Sequence, residues 1–169
     1  VFKLLHRMEG HWTGQMHTVV GENDTPNLLV THVLLFDQDK RVWLERRKLV
    51  SQVSTVSKTT QNTLVPVGDG ILVGVIDGNN HVNNGGKSIT YNEIGENIML
   101  IRTIDVETDE VVKMETITLL DDAATTRTRV TQYFTLSNSE NGRGMHSMTV
   151  TNQRRIVTQD TGGLSKFSL

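Results

Sequence analysis

The residues of this chain whose types and spacing suit chemistry are its histidines, a few strand-borne carboxylates and an alternating pair of arginines. His11 and His17 flank Trp12, His32 sits among apolar residues, His81 lies in the polar stretch 79–86, and His146 opens the last strand-like run. A metal site needs three or four converging ligands, and these histidines lack the helical His-x-x-x-His spacing. What remains is a cross-strand pair such as His17 with His32, or one haem-binding histidine at His32 or His146. The absence of cysteine removes thiolate nucleophiles, iron–sulfur ligation, cysteine zinc sites and disulfides together. No metal or other cofactor is expected. Two carboxylates facing a dry lumen could act as acid and base, with Glu115 and either Asp105 or Glu93 as members, although isolated strand carboxylates ordinarily pair with arginine at the surface. Hydrolase signatures are missing: there is no Gly-x-Ser-x-Gly, and Gly68-Asp69-Gly70 and Gly85-Gly86 open no helix that would make a phosphate loop.

Two stretches carry polar groups on both alternating faces. In 110–120, Val111, Lys113, Glu115, Ile117 and Leu119 alternate with Val112, Met114, Thr116 and Thr118; in 126–136, Arg127, Arg129, Thr131 and Tyr133 alternate with Thr128, Val130, Gln132 and Phe134. A sandwich core asks for one clean apolar face per strand, whereas a barrel lumen can hold a few polar groups that orient a guest. Arg127 and Arg129 beside Glu115 and Lys113 therefore have two placements: lumen contacts, or a cross-strand salt-bridge ladder on the outer face, which is the commoner arrangement. The candidate ligand contacts are His32, Met16, Arg129, Gln132, Glu115 and Tyr133. His32 alternates with Val30 and Leu34 and is predicted to point inward beside Met16. Arg129 and Gln132 lie on opposite faces of one strand, so an inward Arg129 implies a ligand with a carboxylate and an inward Gln132 a neutral one. Trp43, Tyr91, Tyr133 and Phe134 read as wall or core.

The elements that must position these groups are strands. Threonine and valine are common, proline is rare, and apolar residues recur with period two over 10–20, 28–36, 41–50, 52–60, 63–67, 71–76, 87–93, 97–106, 110–120, 126–136 and 145–157. Turn residues separate them, as in Gly21-Glu22-Asn23-Asp24, Asp37-Gln38-Asp39-Lys40, Asp77-Gly78-Asn79-Asn80 and Glu107-Thr108-Asp109. With no amphipathic helix between them, parallel βαβ units are excluded and an antiparallel meander remains, which loses its edges on closing. Residues 1–9 form the one helical pattern, with Phe2, Leu4, Leu5 and Met8 on a stripe suited to capping a barrel mouth; 158–169 reads as a loose tail.

The chain's 169 residues suit one domain with its own core. A formal charge of -2 offers no basic surface for phosphate backbones, and Arg46-Arg47-Lys48 and Arg154-Arg155 read as strand-end or solvated-face charges, so nucleic acid is not an expected partner. No apolar run approaches the ~20 residues of a spanning helix. The lack of cysteine leans toward a reducing or organellar interior, and a start at Val1-Phe2-Lys3 is expected of a processed precursor or a trimmed chain.

Gly10-His11-Trp12 opens the first strand and Arg154-Arg155 lies at the end of the last. A glycine two places before a tryptophan lets the chain turn tightly before burying the ring, and an arginine from the closing strand can lie over it. These residues, with the all-antiparallel pattern, resemble the calycin superfamily of lipocalins, fatty-acid-binding proteins and plastid and cyanobacterial relatives. The resemblance implies an all-β fold, a single up-and-down barrel of about eight to ten strands with a short N-terminal helix. In it Trp12 would plug the closed end and Arg154 or Arg155 would cover it. The stretch Gly10-His11-Trp12-Thr13-Gly14-Gln15-Met16-His17 is also similar to the opening of the S-type phycobiliprotein lyases, departing at Met16, where those proteins carry arginine. The implied function is binding of a small, largely apolar molecule in the lumen: a tetrapyrrole or other pigment, a fatty acid or an isoprenoid. The alternative is an enzyme using the cavity, either a bilin lyase that passes its chromophore to a protein acceptor or a cyclase or isomerase. A barrel filled solid that presents its outer face to a protein is the third reading.

Overall fold

Ten antiparallel strands close into one barrel in the computed structural model, which describes residues 2–20, 28–52, 57–68, 71–76, 86–137, 139–140 and 142–157. In chain order, helix α1 (Lys3–Met8) precedes β1 (Gly10–Val20), β2 (Leu28–Asp37), β3 (Val42–Ser51), β4 (Ser57–Gly68), β5 (Ile71–Ile76), β6 (Lys87–Glu93), β7 (Ile98–Asp105), β8 (Glu110–Leu119), β9 (Thr126–Thr135) and β10 (Gly144–Ile156). Each strand pairs with its sequence neighbours, and β1 closes on β10 with Trp12 opposite Arg155 and Met16 opposite Thr151. The expected up-and-down barrel with a short N-terminal helix is therefore the observed fold. The expected turns 21–24 and 77–80, most of the polar stretch 79–86 with His81, and the tail 158–169 lie outside the described residues.

One boundary differs. The runs 52–60 and 63–67 were expected as two strands, yet β4 is continuous over Ser57–Gly68. Thr60 pairs with Arg47 and Asn62 with Glu45, so Gln61-Asn62 stays in the ladder instead of turning. Neither residue forces a positive φ; Gln61 pairs with Arg46 of β3, and Asn62 pairs with β3 on one side and with Ile76 of β5 on the other.

Two glycines make the β1 seam possible. Gly10 has φ +125°, a conformation that side chains strongly disfavour, and it turns the chain from α1 into β1. At Gly14 a Cβ would stand 2.0 Å from the Asn152 carbonyl oxygen, so only glycine permits this approach of β1 to β10.

Helix α1 stops one mouth of the barrel. Leu4, Leu5 and Met8 are buried against Trp12, Leu34, Trp43, Leu64, Leu72, Met99, Ile117 and Leu119, the inward residues of the strand ends nearest it. A six-residue helix is too short to hold itself together, so tertiary bonds hold it. Glu93 Oε1 accepts from the Leu5 amide at 2.9 Å, Arg7 Nη1 donates to the Glu96 carbonyl and to Asn97 Oδ1 at 2.7 Å each, and Trp12 Nε1 donates to the Met8 carbonyl at 2.8 Å. Edge contacts from His6 to Trp43, with centroids 4.6 Å apart, complete the plug.

Candidate functional site

Read toward the far mouth, the inward residues change character strand by strand. On β3 they run Trp43, Glu45, Arg47; on β4 Leu64, Asn62, Thr60, Lys58; on β6 Tyr91, Ile89, Lys87; on β7 Met99, Ile101, Thr103; on β8 Leu119, Ile117, Glu115, Lys113. The barrel is thus an apolar plug, then a buried polar layer, then an open cavity of about 680 Å³ floored by that layer.

The polar layer is held by two carboxylates. Glu45 Oε1 accepts from His32 Nε2 at 2.8 Å, while its Oε2 accepts from Tyr91 Oη at 2.6 Å and Asn62 Nδ2 at 2.9 Å. A carboxylate can only accept, so His32 carries its proton on Nε2 and accepts at Nδ1 from the Arg127 guanidinium. Burial, and then the Arg127 charge, push His32 down to about 3, so the ring is neutral near pH 7. Burial works against the charge of Glu45, yet the His32 hydrogen bond, Arg129 and the Tyr91 hydroxyl together hold it well below the ordinary carboxylate range. Burial and the adjoining Glu45 push the Tyr91 phenol well up.

Glu115 is the second hub. Arg129 Nε and Nη2 lie 3.0 and 2.9 Å from its Oε1, which also accepts from Thr131 Oγ1 at 3.1 Å; Lys113 Nζ is 2.8 Å from its Oε2. Burial opposes its ionisation, but Arg129, Lys113 and Arg47 overcome it and hold the carboxyl at about 2. Glu115 is therefore ionised near neutrality and has no proton to give as a general acid. Of the two acid–base pairings expected from the sequence, Glu115 with Glu93 does not assemble, while Asp105 lines the same cavity as Glu115. Glu93 is bound to α1 at the plugged end, and Asp105, at the cavity rim, accepts from the Glu107 and Thr108 amides of its own turn.

The favoured outer-face ladder is overturned. Arg127, Arg129 and Glu115 are buried inside the barrel, where Arg127 Nε donates to Gln153 Oε1 at 2.9 Å. The reason is parity: Arg127, Arg129, Thr131 and Tyr133 share the side of β9 that also faces Ile117 and Glu115. Arg47 overturns a second expectation, because only its neighbours Arg46 and Lys48 are solvated. The pairing of His17 with His32 fails because the two sit on opposite faces, His17 exposed and His32 buried.

Of the candidate contacts, Glu115, Arg129 and Tyr133 line the cavity. His32 is inward but lies below the floor, opposite Trp12 and not beside Met16. Met16 faces Arg47, whose Nη2 is 3.8 Å from its sulfur. Gln132 faces outward, its amide donating to Met145. At the plugged end Trp12 is fully buried and Arg155 lies over its ring at 4.9 Å, while Arg154 is exposed. Arg127 lies closer, at 4.1 Å, and was not foreseen. Sequence reasoning also missed Glu45, Arg47, Thr103 and the rim lysines Lys58 and Lys87. Counting alternate positions from Trp43 would have put Glu45 and Arg47 inside.

Plug, polar floor and open mouth define a ligand-sized barrel as a class. No family model matches the chain, and no curated protein does. Among solved structures, it is similar to a protein of unknown function from the DUF3598 family of Nostoc punctiforme, with a TM-score of 0.60 and 14% identity over 90% of this chain. The chain spans about half of that protein, 49% of its length, and the likeness is one of fold.

Proposed function

We propose that this protein binds a small, largely apolar molecule in the open end of the barrel. The cavity carries the reading: about 680 Å³ lies within the range of about 300–1,000 Å³ usual for small-molecule sites. Ile89, Val112, Phe134 and Leu136 supply apolar wall, and Tyr133 and His146 supply flat rings. Among the described residues the plug closes the other end of the barrel, so a guest entering the cavity exchanges water for barrel wall. Pigments, fatty acids and isoprenoids remain the candidate classes.

Titration with an uncharged solvatochromic dye tests this reading, with Val112→Trp as the blocked control. Saturable binding that weakens at least tenfold in the variant is the expected result; a dye that ignores both proteins removes the proposal. Adding an open-chain tetrapyrrole and following its visible absorbance, with and without a cysteine-bearing acceptor protein, separates simple binding from the lyase reading.

A further inference from the structure

We infer that the guest of this cavity is a flat conjugated ring system, held at the mouth by the rings of Tyr133 and His146. The inference rests on the binding role proposed above and chooses among its candidate classes, setting rigid conjugated molecules before flexible fatty and isoprenoid chains.

Two irregularities in the strand ladders build this part of the mouth. Between β7 and β8, Thr103 faces Lys113 and Ile104 faces Val111, which leaves Val112 as an extra residue. Between β9 and β10, Phe134 faces Met145 and Tyr133 faces Ser147, which leaves His146 as another. Each changes the parity of its strand. The buried inward residues of β8 are Glu115, Ile117 and Leu119, and those of β10 are Thr149, Thr151 and Gln153, odd-numbered in both strands. Unbroken alternation would therefore turn Val112 and His146 outward, yet both line the cavity. A bulge re-aims side chains in this way, and barrel rims are one of the places where bulges concentrate.

The ring brought in at His146 meets Tyr133, with centroids 6.2 Å apart and planes at 43°. Tyr133 stands opposite Lys113 on β8 and Ser147 on β10, so the ring pair lies at the centre of the strands that carry the two extra residues. Val112 and Leu136 add apolar wall to the same cavity. His146 is exposed, and Tyr133 is half-buried, so both rings remain accessible to a molecule entering the mouth. Aromatic rings attract one another in stacked or edge arrangements at centroid separations of about 4.5–7 Å, so a third flat ring beside this pair gains contacts that a saturated chain does not. A rigid guest also has few rotatable bonds to freeze on binding, whereas a fatty or prenyl chain has many. Both effects favour the flat molecule.

The experiment measures how well pyrenemethanol, a flat uncharged alcohol, and farnesol, a flexible one, displace the uncharged dye of the binding test. The flat alcohol is expected to bind the unaltered protein about fivefold more tightly or better, the size of one or two aromatic contacts. His146→Ala and Tyr133→Leu should each reduce that preference about threefold, and His146→Phe, which keeps a ring without the imidazole nitrogens, should retain it. A dye displaced equally by both alcohols, better by farnesol, or by neither overturns this inference and leaves the binding role standing. A dye that does not bind overturns both. A preference for the flat alcohol that survives His146→Ala and Tyr133→Leu, or that His146→Phe fails to keep, overturns the assignment to these two rings. If Tyr133→Leu does not fold, the two His146 variants decide, since that position is exposed.

Discussion

The two ends of the barrel are made by the same strands and solve opposite problems. At the plugged end the inward residues are Trp12, Leu34, Trp43, Leu64, Leu72 and Met99, packed on Leu4, Leu5 and Met8 of α1, so water is excluded and apolar burial stabilises the fold. Two to four residues further toward the open mouth the inward positions of β3 and β8 are Glu45, Arg47 and Glu115, and those of β9 are Arg127 and Arg129, which stabilise nothing unless each finds its partner. The comparison teaches that apolar burial at the closed end carries the fold, whereas the polar floor depends on how completely its charges are paired. The floor gives the cavity a fixed set of donors, and the plug provides the rigidity that holds them in place.

The largest expected effect comes from breaking the plug. Trp12→Ala removes a fully buried ring together with its bond to the Met8 carbonyl and its contacts with Arg127 and Arg155. A loss of about 3–5 kcal/mol in urea unfolding is expected, as for other large core deletions; a loss below about 1 kcal/mol would show that the plug does not carry the fold. Glu115→Gln strikes the floor instead. It leaves Arg129, Arg47 and Lys113 buried or half-buried without their shared counter-charge, and should cost about 3 kcal/mol. The loss should shrink in Glu115→Gln/Arg129→Met, which removes both members of the pair, and a double variant no better than the single one would contradict the pairing.

Acid should act on the floor and spare the plug. His32 sits at about 3 in the folded protein against 6.5 in an unfolded chain, so between those values the unfolded chain binds the extra proton and stability falls as the pH falls. From pH 6.5 to 4.5 the expected loss is about 2–3 kcal/mol, at up to about 1.4 kcal/mol per pH unit for one group. Glu115, at about 2 against 4.5, adds to the loss below pH 4.5 with the same sign. Chemical unfolding across this range checks it, and a stability independent of pH between 6.5 and 4.5 would mean that His32 is not held neutral. The smallest effect is expected at Gln132, which faces outward; Gln132→Ala should change stability by less than about 0.5 kcal/mol and leave probe affinity alone.

Strand content, antiparallel order and the capping helix were legible in the chain because each follows from local pattern: period-two apolar positions, turn residues between runs, and a Phe2, Leu4, Leu5, Met8 stripe before Gly10. The polar floor was not. An outer-face ladder and a lumen network have the same alternation, and β8 and β9 show Glu115, Lys113, Arg127 and Arg129 beside polar threonines on the other face, so local pattern could not say which face was inside. Arg46-Arg47-Lys48 hid its inward member for the same reason.

By itself, then, the sequence determined that the chain makes strands, where most of them turn, and that Gly10 and Trp12 begin a closing seam, since φ/ψ preference and side-chain alternation act between near neighbours. Only the tertiary structure decided that Glu45 meets His32 and Tyr91, that Glu115 meets Arg129, and that Arg47 is left with donors to spare. Those contacts span up to 46 residues and depend on the register with which ten strands close, because a shift of one residue in any ladder would turn its whole inward set to solvent.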